Sequence, residues 1–158
     1  MLLEKYTLCL LLNFLRGNEG NSCSIAILCS HNLLRGPCKN VFVPFIDGVV
    51  VKLDDVSAEL NQHEGNIWTC IISLRREDAE RLSFNTGERW RDMLRSQTAT
   101  LAENFKIPLK DLHWYAAFHN EGHHPHVHLM VYSEKKQDVY LSRNGIMKMR
   151  SAFAKDIF

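Results

Sequence analysis

The stretch that decides the reading is His113 to Tyr132, HWYAAFHNEGHHPHVHLMVY. It divides into two apolar, aromatic and β-branched runs, His113 to His119 and His126 to Tyr132, joined by Asn120 to Pro125. Gly122 and Pro125 suit a connection, so the spacing predicts two antiparallel strands. Side chains alternate along a strand, which puts His126 and His128 on one face and turns Val127 to the other. His119 closes the preceding strand and faces the same side across the hairpin. Three imidazoles in that arrangement offer nitrogen ligands to a divalent ion and leave coordination positions open for water or a phosphate oxygen. Glu121, two residues from His119, is placed to accept from a ring N–H and fix its tautomer. His123 and His124 belong to the connecting loop, as neighbours of the site that touch substrate.

The remaining histidines, His31, His63 and His113, read as ordinary structural residues. Working outward, Ile67 to Leu74 (IWTCIISL) is apolar on both faces and reads as a central strand. A short helix follows from Glu77 to Leu82. One long helix is expected from Gly87 to Phe105 with Thr86 as cap; Trp90, Leu94, Leu101 and Phe105 form its buried face. An earlier helix through Gln62, capped by Asp54 or Asp55, buries Val56 and Leu60. Val41 to Phe45 and Val49 to Leu53 flank the turn dipeptide Asp47-Gly48 and suggest a hairpin. A last helix runs from Arg143 to Phe158. Interleaved strands and helices of this kind fit α+β, an antiparallel β-sheet with flanking helices.

Residues 1–40 differ from the rest. They carry four of the five cysteines, and glycine and proline break them into pieces too short for periodicity to assign. The expected organisation is therefore a segment 1–40, an unrelated leader, followed by one core domain over 41–158. The 158 residues suffice for one domain with a real core. No CxxC pair is present, which excludes a zinc ribbon or thioredoxin-like motif and fits reduced thiols. The apolar run Leu8 to Leu15 is far shorter than a membrane span of about 20 residues, and Glu4 spoils a signal peptide. The expected location is cytoplasmic, with no membrane partner.

Net charge is +1, so a nucleic-acid surface has to arise from local clustering. Arg75 and Arg76, at the end of the central strand, are the best phosphate candidates. Lys135 and Lys136 follow the histidine strand and extend the candidate DNA-binding set, which also includes His124. Trp68, Trp90 and Trp114 are possible base-stacking residues, with Trp68 and Trp90 read as core. Tyr115 and Tyr132 read as packing residues.

His119 and Glu121 followed by HPHVHLMVYS resemble the HUH motif of the MobL/MobP group of plasmid mobilisation relaxases, within the HUH endonuclease superfamily. HEGNIWTCIISLRREDAERL, WRDMLRSQ and YLSRNGIMKMRSAFAKDIF are similar to stretches of that family in the same order, covering about Gln62 to Phe158 and weakly Phe45 to Leu60. The resemblance implies His119, His126 and His128 as ligands of Mg²⁺ or Mn²⁺, supported by Glu121; three imidazoles alone leave zinc open. It implies site- and strand-specific nicking of origin-of-transfer DNA by tyrosine transesterification, initiating plasmid mobilisation or conjugative transfer, with single-stranded DNA and relaxosome accessory proteins as partners. Family members carry the nucleophile near the N terminus. Tyr6 is the one tyrosine upstream of the two motif strands, and its context LEKYTLCLLL does not match the family's segment. The sequence also ends where family members continue into further helical domains, and a chain truncated at its C-terminal end is the expectation that follows. The alternative is a nuclease-dead remnant that binds metal and single-stranded DNA without cleaving; a structural or regulatory metal module is a third reading.

Overall fold

The computed structural model describes residues 9–15, 41–42, 53–120, 124–135 and 140–158. The elements are β1 (Cys9–Leu15), β2 (Val41–Phe42), α1 (Leu53–Gln62), β3 (Ile67–Ser73), α2 (Arg76–Arg81), α3 (Gly87–Ser96), α4 (Thr98–Phe105), β4 (Leu112–His119), β5 (His126–Ser133) and α5 (Arg143–Ile157). The described strands form one antiparallel sheet of order β1-β3-β5-β4-β2. This is the α+β architecture expected from the sequence.

The strand carrying His126 and His128 lies at the centre of that order. Period-two alternation then gives the sheet two unlike faces. Cys70, Ile72, Trp114, Ala116, Phe118, Val127, Leu129 and Val131 pack with α2 to α5 into the main core. Trp90, Leu94, Leu101 and Phe105, the expected helix face, are all fully buried in it. The opposite face carries the histidines at one end. At the other, α1 covers a second cluster of Val56, Leu60, Ile67, Met130 and Tyr132, with Tyr115 packed against it.

Two details of the helices differ from the sequence expectation. The long helix is two, α3 and α4, separated by Gln97 at φ −92°, ψ 5°. Polar side chains around the break bind backbone carbonyls, Ser96 Oγ that of Met93 at 2.7 Å and Thr98 Oγ1 that of Leu94 at 3.3 Å. Such local bonds compete with helix geometry and bend it. Thr86 does occupy the N-cap position of α3, without a side-chain cap bond. The effective side-chain cap is Ser142, whose Oγ accepts from Gly145 N at the start of α5. Finally, Val41 and Phe42 pair with Ala117 and Ala116 of β4; the expected Asp47-Gly48 turn lies outside the described residues.

Candidate metal and DNA site on the central strands

Register places the three motif histidines together. His119 is paired directly with His126, and His128 lies between Ala117 of β4 and Ile71 of β3. The ring centroids of His119 and His126 are 5.2 Å apart, those of His119 and His128 5.3 Å, and those of His126 and His128 4.9 Å. Imidazole nitrogens each about 2.1 Å from a shared ion put ring centroids about 5 Å apart, so the spacing fits.

The aim of the rings does not yet match the spacing. The planes of His119 and His126 are 13° from parallel, whereas His128 stands at 69° and 82° to them. Among the described residues, no three His, Cys, Asp or Glu side chains already converge as a metal-holding group. Coordination therefore requires the rings to turn from these orientations.

One ring is already oriented. His126 Nδ1 is 2.9 Å from the carbonyl oxygen of His124. A carbonyl can only accept, so Nδ1 carries the proton and donates. In the neutral ring that leaves the lone pair on Nε2, the arrangement that prepares an imidazole as a ligand. The role of His124 in the structure is thus through its backbone, and its side chain is exposed.

The connection around the histidines is tied to α2. Leu74 N donates to Pro125 O at 3.1 Å, carrying the β3–β5 pairing one step past Ser73. Arg76 Nη1 donates to Asn120 Oδ1 at 2.5 Å, and Asn120 Nδ2 donates to Asn85 O at 3.1 Å. Arg76 is thereby held beside the residue that follows His119, with exposed Arg75 next to it. Asn120 is a residue that sequence reasoning passed over; its place directly after a motif histidine was the available signal.

Other candidates fall elsewhere. Lys135 lies beyond the far end of β5, seven residues from His128 or about 23 Å of extended chain, and its ammonium pairs with the buried Asp111 carboxylate at 3.1 Å. Trp114 and Trp90 are fully buried in the helix-side core, Trp90 donating to Phe84 O at 2.7 Å, and Trp68 packs against the same core. Burial of Trp114 corrects its reading as a base-stacking surface. Tyr6, Glu121, His123 and Lys136 lie outside the described residues.

Tyr115 and Tyr132 are on the histidine face, and both hydroxyls donate to the Glu59 carboxylate of α1, Tyr115 at 2.5 Å. Burial, reinforced by these bonds, pushes the Tyr115 phenol up to about 12 and also raises that of Tyr132. Both are held as neutral donors, in keeping with the packing role expected of them.

A central antiparallel hairpin with paired histidines, covered by helices on its opposite face, defines a relaxase-like α+β domain. The family model of the MobL relaxases matches residues 49–155, well over half of the chain, and the chain belongs to that family. Comparison with curated proteins and with solved structures finds no match. Membership assigns relaxase-type DNA nicking in plasmid mobilisation as the general activity, with a divalent metal and origin-of-transfer DNA as the general requirements. No helix among the described residues is long and apolar enough to cross a membrane.

Proposed function

We propose that the chain nicks one strand of an origin of transfer by transesterification on the His119–His126–His128 face of its sheet. The observation that carries this reading is the mutual 4.9–5.3 Å spacing of the three rings on the central strands of a MobL relaxase. His119, His126 and His128 would hold a divalent ion, Mg²⁺ or Mn²⁺ by family resemblance, with Zn²⁺ compatible with three imidazoles. When bound, such an ion supplies Lewis-acid polarisation of the scissile phosphate. Glu121 is assigned to orient His119 from the adjoining loop. Arg75 and Arg76 bind the phosphate backbone beside the histidines through their guanidinium forks, and His124 lines the strand's path. Lys136 completes the proposed backbone contacts, whereas Lys135 is held by Asp111 and is not among them.

In the chemical step a tyrosine phenol oxygen bonds to phosphorus and the bond from phosphorus to the 3′ oxygen breaks. The phenolic proton passes to a base or solvent, and the leaving oxygen takes up a proton as a free 3′-OH. The phosphoester is exchanged for a 5′-phosphotyrosyl link, so no nucleotide cofactor is consumed. Tyr6 is the assigned nucleophile. Accessory proteins of a relaxosome and a cytoplasmic site of action complete the reading.

The second reading, a remnant that binds metal and single-stranded DNA without cleaving, is favoured by the two sheet tyrosines being pinned to Glu59 as neutral phenols. Incubation of the chain with single-stranded origin oligonucleotide and Mn²⁺ separates the two. A covalent protein–DNA species lost in Tyr6→Phe supports nicking as assigned. A species that survives Tyr6→Phe and disappears in Tyr140→Phe moves the nucleophile to the exposed Tyr140. Binding with no covalent species under any divalent ion supports the remnant.

A further inference from the structure

The histidine face has a second polar feature, at the end covered by α1. A cavity of about 270 Å³ is lined by Glu59, Gln62, His63, His113, Tyr132 and Glu134. Tyr132 is its centre. Tyr115 stacks near it at 6.1 Å and 25°, His113 at 5.4 Å and 27°, and His63 meets it edge-on at 4.9 Å. The result is a ladder of near-parallel rings across two strands, and its His113 member has a side chain 40% exposed. A partly exposed aromatic ring of this kind is a surface on which another flat ring can stack.

The walls select what that ring is. Glu59 and Glu134 repel a phosphate, so the nucleic-acid backbone does not enter. Both Glu59 oxygens are engaged by the tyrosine phenols. Glu134, 67% exposed and 3.8 Å from His113 Nε2, keeps a carboxylate fork open at the edge of the ladder. A carboxylate only accepts, and it pairs best with two adjacent N–H donors. Among the bases, guanine presents such a pair on its Watson–Crick edge. The cavity has room for one base. It lies four residues along β5 from His128, about 13 Å of strand, a distance that a few nucleotides of extended single strand cover.

We propose that this hollow is a subsite for one unpaired guanine of the DNA strand, stacked on His113 and read at its edge by Glu134. The proposal rests on the single-strand DNA reading above and names a specificity position within it. It is tested with the full chain, wild type against Glu134→Gln and His113→Ala, by selection from a randomised single-stranded library about twelve nucleotides long. Sequencing of the bound fraction and fluorescence anisotropy of the pooled oligonucleotides are read together, and thermal melts confirm that both surface variants fold.

Wild type is expected to enrich dG at one position. Glu134→Gln should lose that enrichment at least about fivefold with the other positions unchanged, and His113→Ala should weaken overall binding by a similar factor through lost stacking. Enrichment profiles and affinities shared by all three proteins overturn the subsite and leave the nicking assignment standing. Control by Glu134 of a base other than dG overturns the guanine assignment. A wild-type chain that binds no single-stranded DNA overturns both readings together.

Discussion

Arg76 and Asn120 are 44 residues apart in the chain, yet the Arg76 guanidinium donates to the Asn120 amide oxygen at 2.5 Å. Asn120 in turn donates to Asn85 O. This link fastens the start of α2 to the residue that follows His119, and it places a cation beside the histidines without burying it. A guanidinium is the planar fork that suits phosphate. Under the proposed function, removing Arg76 removes a phosphate contact, whereas removing Asn120 removes only a group that positions it.

Arg76→Ala should weaken single-stranded DNA binding about equally for all sequences and lower the slope of log affinity against log salt by about 1. Asn120→Ala should weaken binding less and leave the salt slope unchanged, because the charge remains. Anisotropy titrations over a series of salt concentrations check both. Equal salt slopes for wild type and Arg76→Ala would remove Arg76 from the interface.

Glu59 ties α1 to the sheet by accepting from two phenols, that of buried Tyr132 and that of part-exposed Tyr115. Glu59→Ala should cost about 1–3 kcal/mol, the penalty for leaving the buried Tyr132 donor without its acceptor, measured as a lower urea midpoint. The same contacts set an alkaline limit. Tyr115 and Tyr132 stay protonated in the folded chain when their unfolded counterparts ionise near 10, so this stability is complete below pH 10 and falls as pH rises through the folded value of about 12 for Tyr115. At the acid end, burial lowers the His63 pKa despite the opposing influence of Glu59. The unfolded chain then takes up that proton first, and stability declines as pH falls below 6.5. A urea midpoint that ignores pH on the alkaline side would contradict the phenol–carboxylate pinning.

Trp114 separates core from surface. It points away from the histidines into the helix-side core, where it is fully buried. Trp114→Ala should cost about 3–5 kcal/mol by opening a cavity. The fraction that remains folded should bind single-stranded DNA like wild type. Loss of DNA affinity in a Trp114→Phe protein of near-native stability would contradict the sidedness of the sheet.

Much of this architecture was legible because period-two alternation is a local signal. His126, Val127 and His128 declare two faces by themselves, and IWTCIISL declares an interior strand. The break at Gln97 was not legible, since the apolar spacing of Trp90, Leu94, Leu101 and Phe105 runs through it while the hydroxyls of Ser96 and Thr98 act on carbonyls one turn back. Tertiary pairings were the other blind spot. Nothing local in the sequence announces that Glu59 will meet Tyr115 and Tyr132, or that Lys135 will be spent on Asp111. The face of Trp114 is likewise set by tertiary pairing: the register of β4 against β5 turns it into the core rather than toward a stacked base.

The most direct measurement is a titration of the full chain with Zn²⁺, a diamagnetic probe, followed through the histidine ring signals in ¹H–¹⁵N NMR spectra. One saturable site that shifts His119, His126 and His128 together is the expected result, with the Nδ1–H of His126 retained, His63 and His113 unmoved, and His128→Ala weakening the ion at least about tenfold. Rings that ignore the ion while the protein stays folded, or shifts confined to His63 and His113, would contradict a metal centre on these strands.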